Sequence, residues 1–226
     1  MPASPGPDPP PGPPLRAPGP FPPPGFVTKL YPSCTATHAA VAEALALAAG
    51  QGAPPTAVRC GVDPFVPRIL IAGMPDGPDA ARFSLEYCLA HALRHGALGP
   101  GAFAPAAFAG GAPADPAIRA LMGRIRVEAD ETLPRGPSGI ATGAMVTLTW
   151  ADGRTATGRR EAGPGSRAAP LTDTEMRGKF AAGLAPLCPP AVAGGLWNRL
   201  ASADFPTAGA LLDALPAAFT STGQHR

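Results

Sequence analysis

Apolar residues change their spacing along this chain often enough to divide it into elements before any chemistry is considered. From Thr35 onward, Ala39, Val41, Ala42, Leu45, Leu47 and Ala48 suit a mostly buried helix of helix-favouring residues. Gly50-Gln51-Gly52 stops it, and Thr35 or Ser33 is expected to cap its first amides. "TAVRCGVDPFVPRILIAG" then predicts two sheet strands, at residues 57–62 and 68–72, broken by Asp63-Pro64 and Pro67. "PDAARFSLEYCLAHALRHG" places Phe83, Leu85, Tyr87, Leu89, Ala90 and Leu93 on a helix that starts at Asp79 and stops at Gly96. Phe83 and Tyr87, one turn apart, are expected in its core-facing stripe.

A short helix is predicted in "ADPAIRALMGR", capped by Asp115 with Pro116 at its first position. "RIRVEAD" alternates Ile125, Val127 and Ala129 against Arg124, Arg126 and Glu128, the period of a half-buried strand. "GAMVTLTW" and "RTATGRR" flank "ADGR", whose Asp152-Gly153 is a strong hairpin signal. Residues 162–170 read as a Gly/Pro linker. Beyond it, "LTDTEMRGKFAAGLAPL", "AVAGGLWNRLAS" and "FPTAGALLDALP" predict three helices, the first opened by a Thr172/Glu175 capping box. No internal repeat is evident. Helices and strands do not alternate regularly, so the expected fold class is α+β: a small, mostly antiparallel sheet with packed helices, then an all-helical tail.

Composition changes this picture at one end. Of the 33 prolines, 13 fall in residues 1–25, where few apolar side chains are present to offset ordering entropy. That stretch reads as a disordered or polyproline II leader, and a ligand for polyproline-binding modules is the weaker reading of it. It has no signal-peptide pattern. The net charge is +2 with no long Lys/Arg run, which indicates neither nucleic acid nor an anionic membrane as a partner. Gly, Pro or charge interrupts every apolar run before the roughly 18 residues a bilayer span requires. Cys34, Cys60, Cys88 and Cys188 are widely spaced, so reduced thiols in a cytoplasmic protein are expected.

The densest chemistry lies in "GFVTKLYPSCTATH". Lys29 supplies a compact cation ahead of a helix, and His38 supplies a base about one turn into it. Free amides at the helix start add donors for an anion. A solvated loop lysine and a buried structural histidine fit the same residues. Tyr31 suits either a donor to a carboxylate or a packing aromatic, and Cys34 reads more simply as a packed thiol than as a nucleophile. Cys88, His91 and His95 share a helix face that zinc could use. No fourth ligand is identifiable, however, and the helix dipole accounts for histidines near a C-terminus, so no metal is expected. Glu86 and Asp130 read as solvated.

Five blocks in order, "GFVTKLYPSCTATH", "ARFSLEYCLAHAL", "DPAIRALMGRIRVEAD", "VTLTWADGRT" and "PLTDTEMRGKF", resemble the C-terminal portion of the MmgE/PrpD family of 2-methylcitrate dehydratases and cis-aconitate decarboxylases. The resemblance implies that residues 26–165 form the family's α+β lid domain. Residues 166–226 would be the returning end of its helical domain, whose earlier part, with the catalytic groups the family places there, is absent here. It implies a hydro-lyase of propionate metabolism that takes water from a small polycarboxylate by proton abstraction, with no cofactor. Lys29 and His38 would be catalytic, and Lys29, Tyr31 and Cys34 substrate-binding. Decarboxylase members carry a histidine at the position of Cys34, which favours the dehydratase side. The expected partners are the substrate and either the missing helical domain or a second copy in a homodimer. The alternative is a non-catalytic fragment or partner-binding subunit of such an enzyme.

Overall fold

The computed structural model describes residues 27–136 and 139–202. The expected leader over residues 1–25 and the helix expected in "FPTAGALLDALP" lie outside the described residues. The elements run in the order α1 (His38–Ala48), β1 (Ala57–Val62), α2 (Val66–Ile69), α3 (Pro78–Ala81), α4 (Leu85–His95), β2 (Phe108–Ala109), β3 (Ala112–Pro113), α5 (Pro116–Met122), β4 (Ile125–Ala129), β5 (Ala144–Thr149), β6 (Thr155–Arg160), α6 (Asp173–Leu184) and α7 (Pro190–Ser202).

The fold is α+β. Four strands form one mixed sheet in the order β4-β1-β5-β6, with β1 parallel to β4 and antiparallel to β5, and β6 antiparallel to β5. Period-two burial fixes which face is covered. Val58, Cys60 and Val62 of β1 sit opposite Leu148, Val146 and Ala144 of β5, and these inward residues are buried. Arg59, Thr147 and Thr157 mark the open face, where the two threonine hydroxyls bond at 2.9 Å and Arg59 pairs with Glu128 at 2.9 Å.

Helix α1 covers β5 and β6, and α4 packs on α1, α5 and β4. With three alanines among the five residues it buries, α1 can lie close to both the sheet and α4. Tyr87 anchors the other side of α4: it is fully buried, its hydroxyl donates to the Ala102 carbonyl, and Phe103 and Phe108 pack edge-on and tilted against its ring. Beyond the sheet, α6 and α7 pack as a pair through Phe180 and Trp197, whose ring centroids lie 5.5 Å apart. The Thr172/Glu175 capping box at the start of α6 is formed as expected.

Three local expectations are corrected. Residues 68–72 form no strand. Asp63 accepts from the Phe65 amide and its carbonyl from the Val66 amide, and this turn delivers Pro67 to the first turn of the single-turn helix α2. The helix expected from Asp79 is two helices, because Ser84 caps α4 by accepting from the Tyr87 amide. That break turns Phe83 outward, 48 % exposed and outside the core. Neither Thr35 nor Ser33 caps α1. A 3-10 turn at Thr35–Thr37 feeds straight into it, with Thr37 as the residue before the helix and no side-chain cap. By contrast Asp115 caps α5, and Gly96 ends α4 in the left-handed conformation.

Asp63 also joins distant parts of the chain, since its second carboxylate oxygen accepts from the buried Ala141 amide at 2.9 Å. Two amide donors hold its carboxyl below the ordinary carboxylate range. Replacing Asp63 by Ala orphans both donors, and on the usual cost of a hydrogen bond to a charged group urea unfolding is expected to show a loss on the order of 2–3 kcal/mol.

Candidate active site

The irregular stretch before α1 is held at three points. The Thr28 amide donates to the Gly165 carbonyl at 2.9 Å, the Cys34 amide donates to the Arg82 carbonyl at 2.8 Å, and the Arg82 guanidinium returns a bond to the Pro32 carbonyl at 2.8 Å. Gly165 has a φ of 87°, and a β-carbon there would fall on the Thr28 carbonyl oxygen, so only glycine permits this approach. Arg82 is itself braced over the Phe103 ring at 4.8 Å. Ser33 and Thr37 bond through their hydroxyls at 2.8 Å, and Thr37 also donates to the Cys34 carbonyl. Lys29 and Tyr31 are thereby set on a built wall rather than on a free loop.

That wall borders a cavity of about 520 Å³. It is lined by Lys29 and Tyr31 from the loop before α1, by residues 96–100 following α4, and by Lys179 with the small residues Gly178, Ala182 and Gly183 of α6. Tyr31 is buried, and burial pushes its hydroxyl above its ordinary value; nearby Arg160 pulls it back and Glu175 adds to the rise. At neutral pH it is therefore an uncharged donor.

His38 lies behind Tyr31 and does not line the cavity. The two rings meet edge to face with centroids 5.2 Å apart. His38 is completely buried, and neither ring nitrogen makes a hydrogen bond of good geometry. The residues read in sequence as a linker close over it: Gly163, Pro164 and Gly165 are buried, and a β-carbon on Gly163 would crowd His38. Burial lowers the imidazole below its ordinary 6.5. The backbones of Pro164, Ser33 and Tyr31 oppose that shift, and the Lys29 charge reinforces it. His38 is thus a neutral, dry imidazole. A partly buried ion pair sits beside this group, Glu43 of α1 with Arg160 of β6 at 3.3 Å. A β-carbon at Gly158 would overlap the Glu43 carboxylate.

So the structure brings Lys29 and Tyr31 to one cavity wall and His38 to the layer behind, while Cys34 stands half-buried outside the cavity lining. Sequence reading did not nominate Lys179, Arg160, Glu43 or Arg82. Lys179 stands in the block "PLTDTEMRGKF", but only the placement of α6 brings it to the cavity that Lys29 lines. Cys88, His91 and His95 do not converge. The Cys88 thiol is buried against the Ala81 carbonyl, and the His91 and His95 rings stack on each other at 4.5 Å. Among the described residues no group of three or more His, Cys, Asp or Glu is placed to hold a metal ion. No helix among them is long and apolar enough to cross a membrane.

The burial of His38 has a consequence for stability. Below pH 6.5 the unfolded chain takes up a proton that the folded ring, with its lowered pKa, refuses. Stability is therefore full above 6.5 and declines as the pH falls below it toward the ring's own lowered value. His91, lowered by burial and by His95, adds to the same limb. Unfolding free energies of wild type and His38→Gln between about pH 5 and 7.5 are expected to differ in slope, the wild type falling more steeply by up to about 1.4 kcal/mol per pH unit.

No curated protein matches the chain at a significant level. The MmgE/PrpD C-terminal domain matches residues 31–193, a span that includes Tyr31, His38, the whole sheet and α6. With well over half of its length in that match, the chain belongs to the MmgE/PrpD family.

Proposed function

We propose that this chain serves a hydro-lyase of the 2-methylcitrate dehydratase type, acting on a small polycarboxylate at the cavity between the Lys29 loop and α6. In this reading residues 26–165 are the lid domain of such an enzyme and residues 166–226 belong to its helical part. The observation that carries it is a cation, Lys29, and a protonated hydroxyl, Tyr31, on the lining of one largely apolar cavity. A carboxylate placed there gains a charge-assisted bond.

Elimination of water next to a carboxylate requires a base for the carbon-bound proton and an acid for the departing hydroxide. Lys29 holds a substrate carboxylate and draws negative charge toward it as the carbon–hydrogen bond breaks. Tyr31, kept protonated by burial, is the group best disposed to donate toward the substrate. His38 is neutral at pH 7 and is the base this reading assigns; reaching substrate requires Tyr31 or residues 163–165 to move from over its ring. Cys34, which the family resemblance placed among the binding residues, shapes the Lys29 loop through its backbone bond to Arg82.

The test is turnover of 2-methylcitrate, citrate and cis-aconitate by the purified chain, followed by the absorbance of the unsaturated acid. Lys29→Ala is expected to lower kcat/KM by roughly 10- to 100-fold, the equivalent of one charge-assisted hydrogen bond of about 1.5–3 kcal/mol. Equal turnover in wild type and Lys29→Ala would sink the assignment of Lys29. Absence of turnover in the wild type would remove the stand-alone enzyme and leave the subunit or fragment reading.

A further inference from the structure

We propose that Lys179 on α6 is the second cation of the cavity, so that the bound ligand spans the gap with one carboxylate on Lys29 and another on Lys179. The inference rests on the polycarboxylate reading above and deepens it by naming how two charged groups are told from one.

Four observations support it. Lys29 and Lys179 border the same 520 Å³ cavity from two different elements, the loop before α1 and the middle of α6. No carboxylate among the described residues pairs with either one. For Lys179 the natural partner would be Glu175, four residues earlier on the same helix. Its carboxylate is engaged instead with the Thr172 amide and hydroxyl at 2.8 Å each, in the capping box that starts α6. Finally, Gly178, Ala182 and Gly183, which share the cavity-facing stripe of α6 with Lys179, carry little or no side chain, so a ligand can come close to the helix beside the ammonium.

Two uncompensated ammonium groups bordering one apolar cavity repel each other and leave room for anions. A ligand with a single carboxylate satisfies one of them. A di- or tricarboxylate satisfies both, and the α6 side of the cavity then selects for the second charge rather than for the shape of the carbon skeleton.

The experiment is calorimetric titration of the full chain with tricarballylate, a saturated tricarboxylate that offers no leaving group, and with isobutyrate as a monocarboxylate. Wild type, Lys29→Ala, Lys179→Ala, Lys179→Arg and Arg177→Gln are compared at fixed ionic strength. Lys179 is exposed, so its replacement leaves the fold intact, which circular dichroism verifies. Arg177 bonds Asn198 toward α7, so its variant removes the same charge from the same helix away from the cavity.

Lys179→Ala is expected to weaken tricarballylate about tenfold and leave isobutyrate unchanged. Lys179→Arg should retain most of the affinity, and Arg177→Gln should match wild type. If Lys179→Ala binds tricarballylate like wild type while Lys29→Ala does not, the inference falls and the Lys29 reading stands. If Arg177→Gln weakens binding as much as Lys179→Ala, the effect is one of net charge and the inference also falls. If wild type shows no preference for tricarballylate over isobutyrate, both the inference and the reading beneath it fail.

Discussion

The arrangement of this protein depends on the closeness with which residues 163–165 lie against the start of α1. Their backbone covers His38, and the carbonyl of Gly165 receives the Thr28 amide one residue before Lys29. Glycine at 163 and 165 makes that contact sterically possible, and a side chain at either position would push the two segments apart. The same contact therefore keeps an imidazole dry and holds a lysine on the cavity wall. Chemistry and packing share one backbone approach.

Around that contact, polar groups are distributed with a consistent logic. Asp63 is buried and satisfied twice by backbone amides, and the Glu43–Arg160 pair is partly buried with Gly158 making room for it. These groups tie loops and helix to the sheet. His38 has no good hydrogen bond at either nitrogen, a costly state for a buried polar ring, while Arg160 Nε, also without a good hydrogen bond, keeps at least its ion pair to Glu43. Structural histidines are ordinarily satisfied. A neutral imidazole without a good hydrogen bond behind a tyrosine is the base that the proposed elimination assigns, and the charge of the exposed Lys29 lowers it further.

Much of the fold was legible from spacing alone. The period-two runs at 57–62, 125–129, 144–149 and 155–160 became the four strands, because burial on one face leaves alternation in the residues themselves. Asp115-Pro116, Thr172/Glu175 and Gly96 marked helix ends through hydrogen bonds and backbone conformations that are local to a few residues. Failures occurred where local signals competed. Residues 68–72 are as β-prone as a strand, but Asp63 and Pro67 start a helical turn there, and no sheet edge is paired with the segment. Ser84 interrupts an otherwise continuous helical stripe, which is why Phe83 faces water.

The sequence by itself determined the element types, the crowding of Lys29, Tyr31 and His38 ahead of one helix, and the likeness that the family match over residues 31–193 then made firm. All of these are written in short-range order. What only the tertiary structure decided is which of those residues share a surface. Lys29 and Tyr31 line a cavity, His38 is buried behind Tyr31, and Lys179, some 150 positions further along the chain, lines the same cavity. The physical reason is that side-chain burial and the meeting of distant charges follow from how α1, α6 and residues 163–165 pack together, and packing between remote segments leaves no periodic mark in either one.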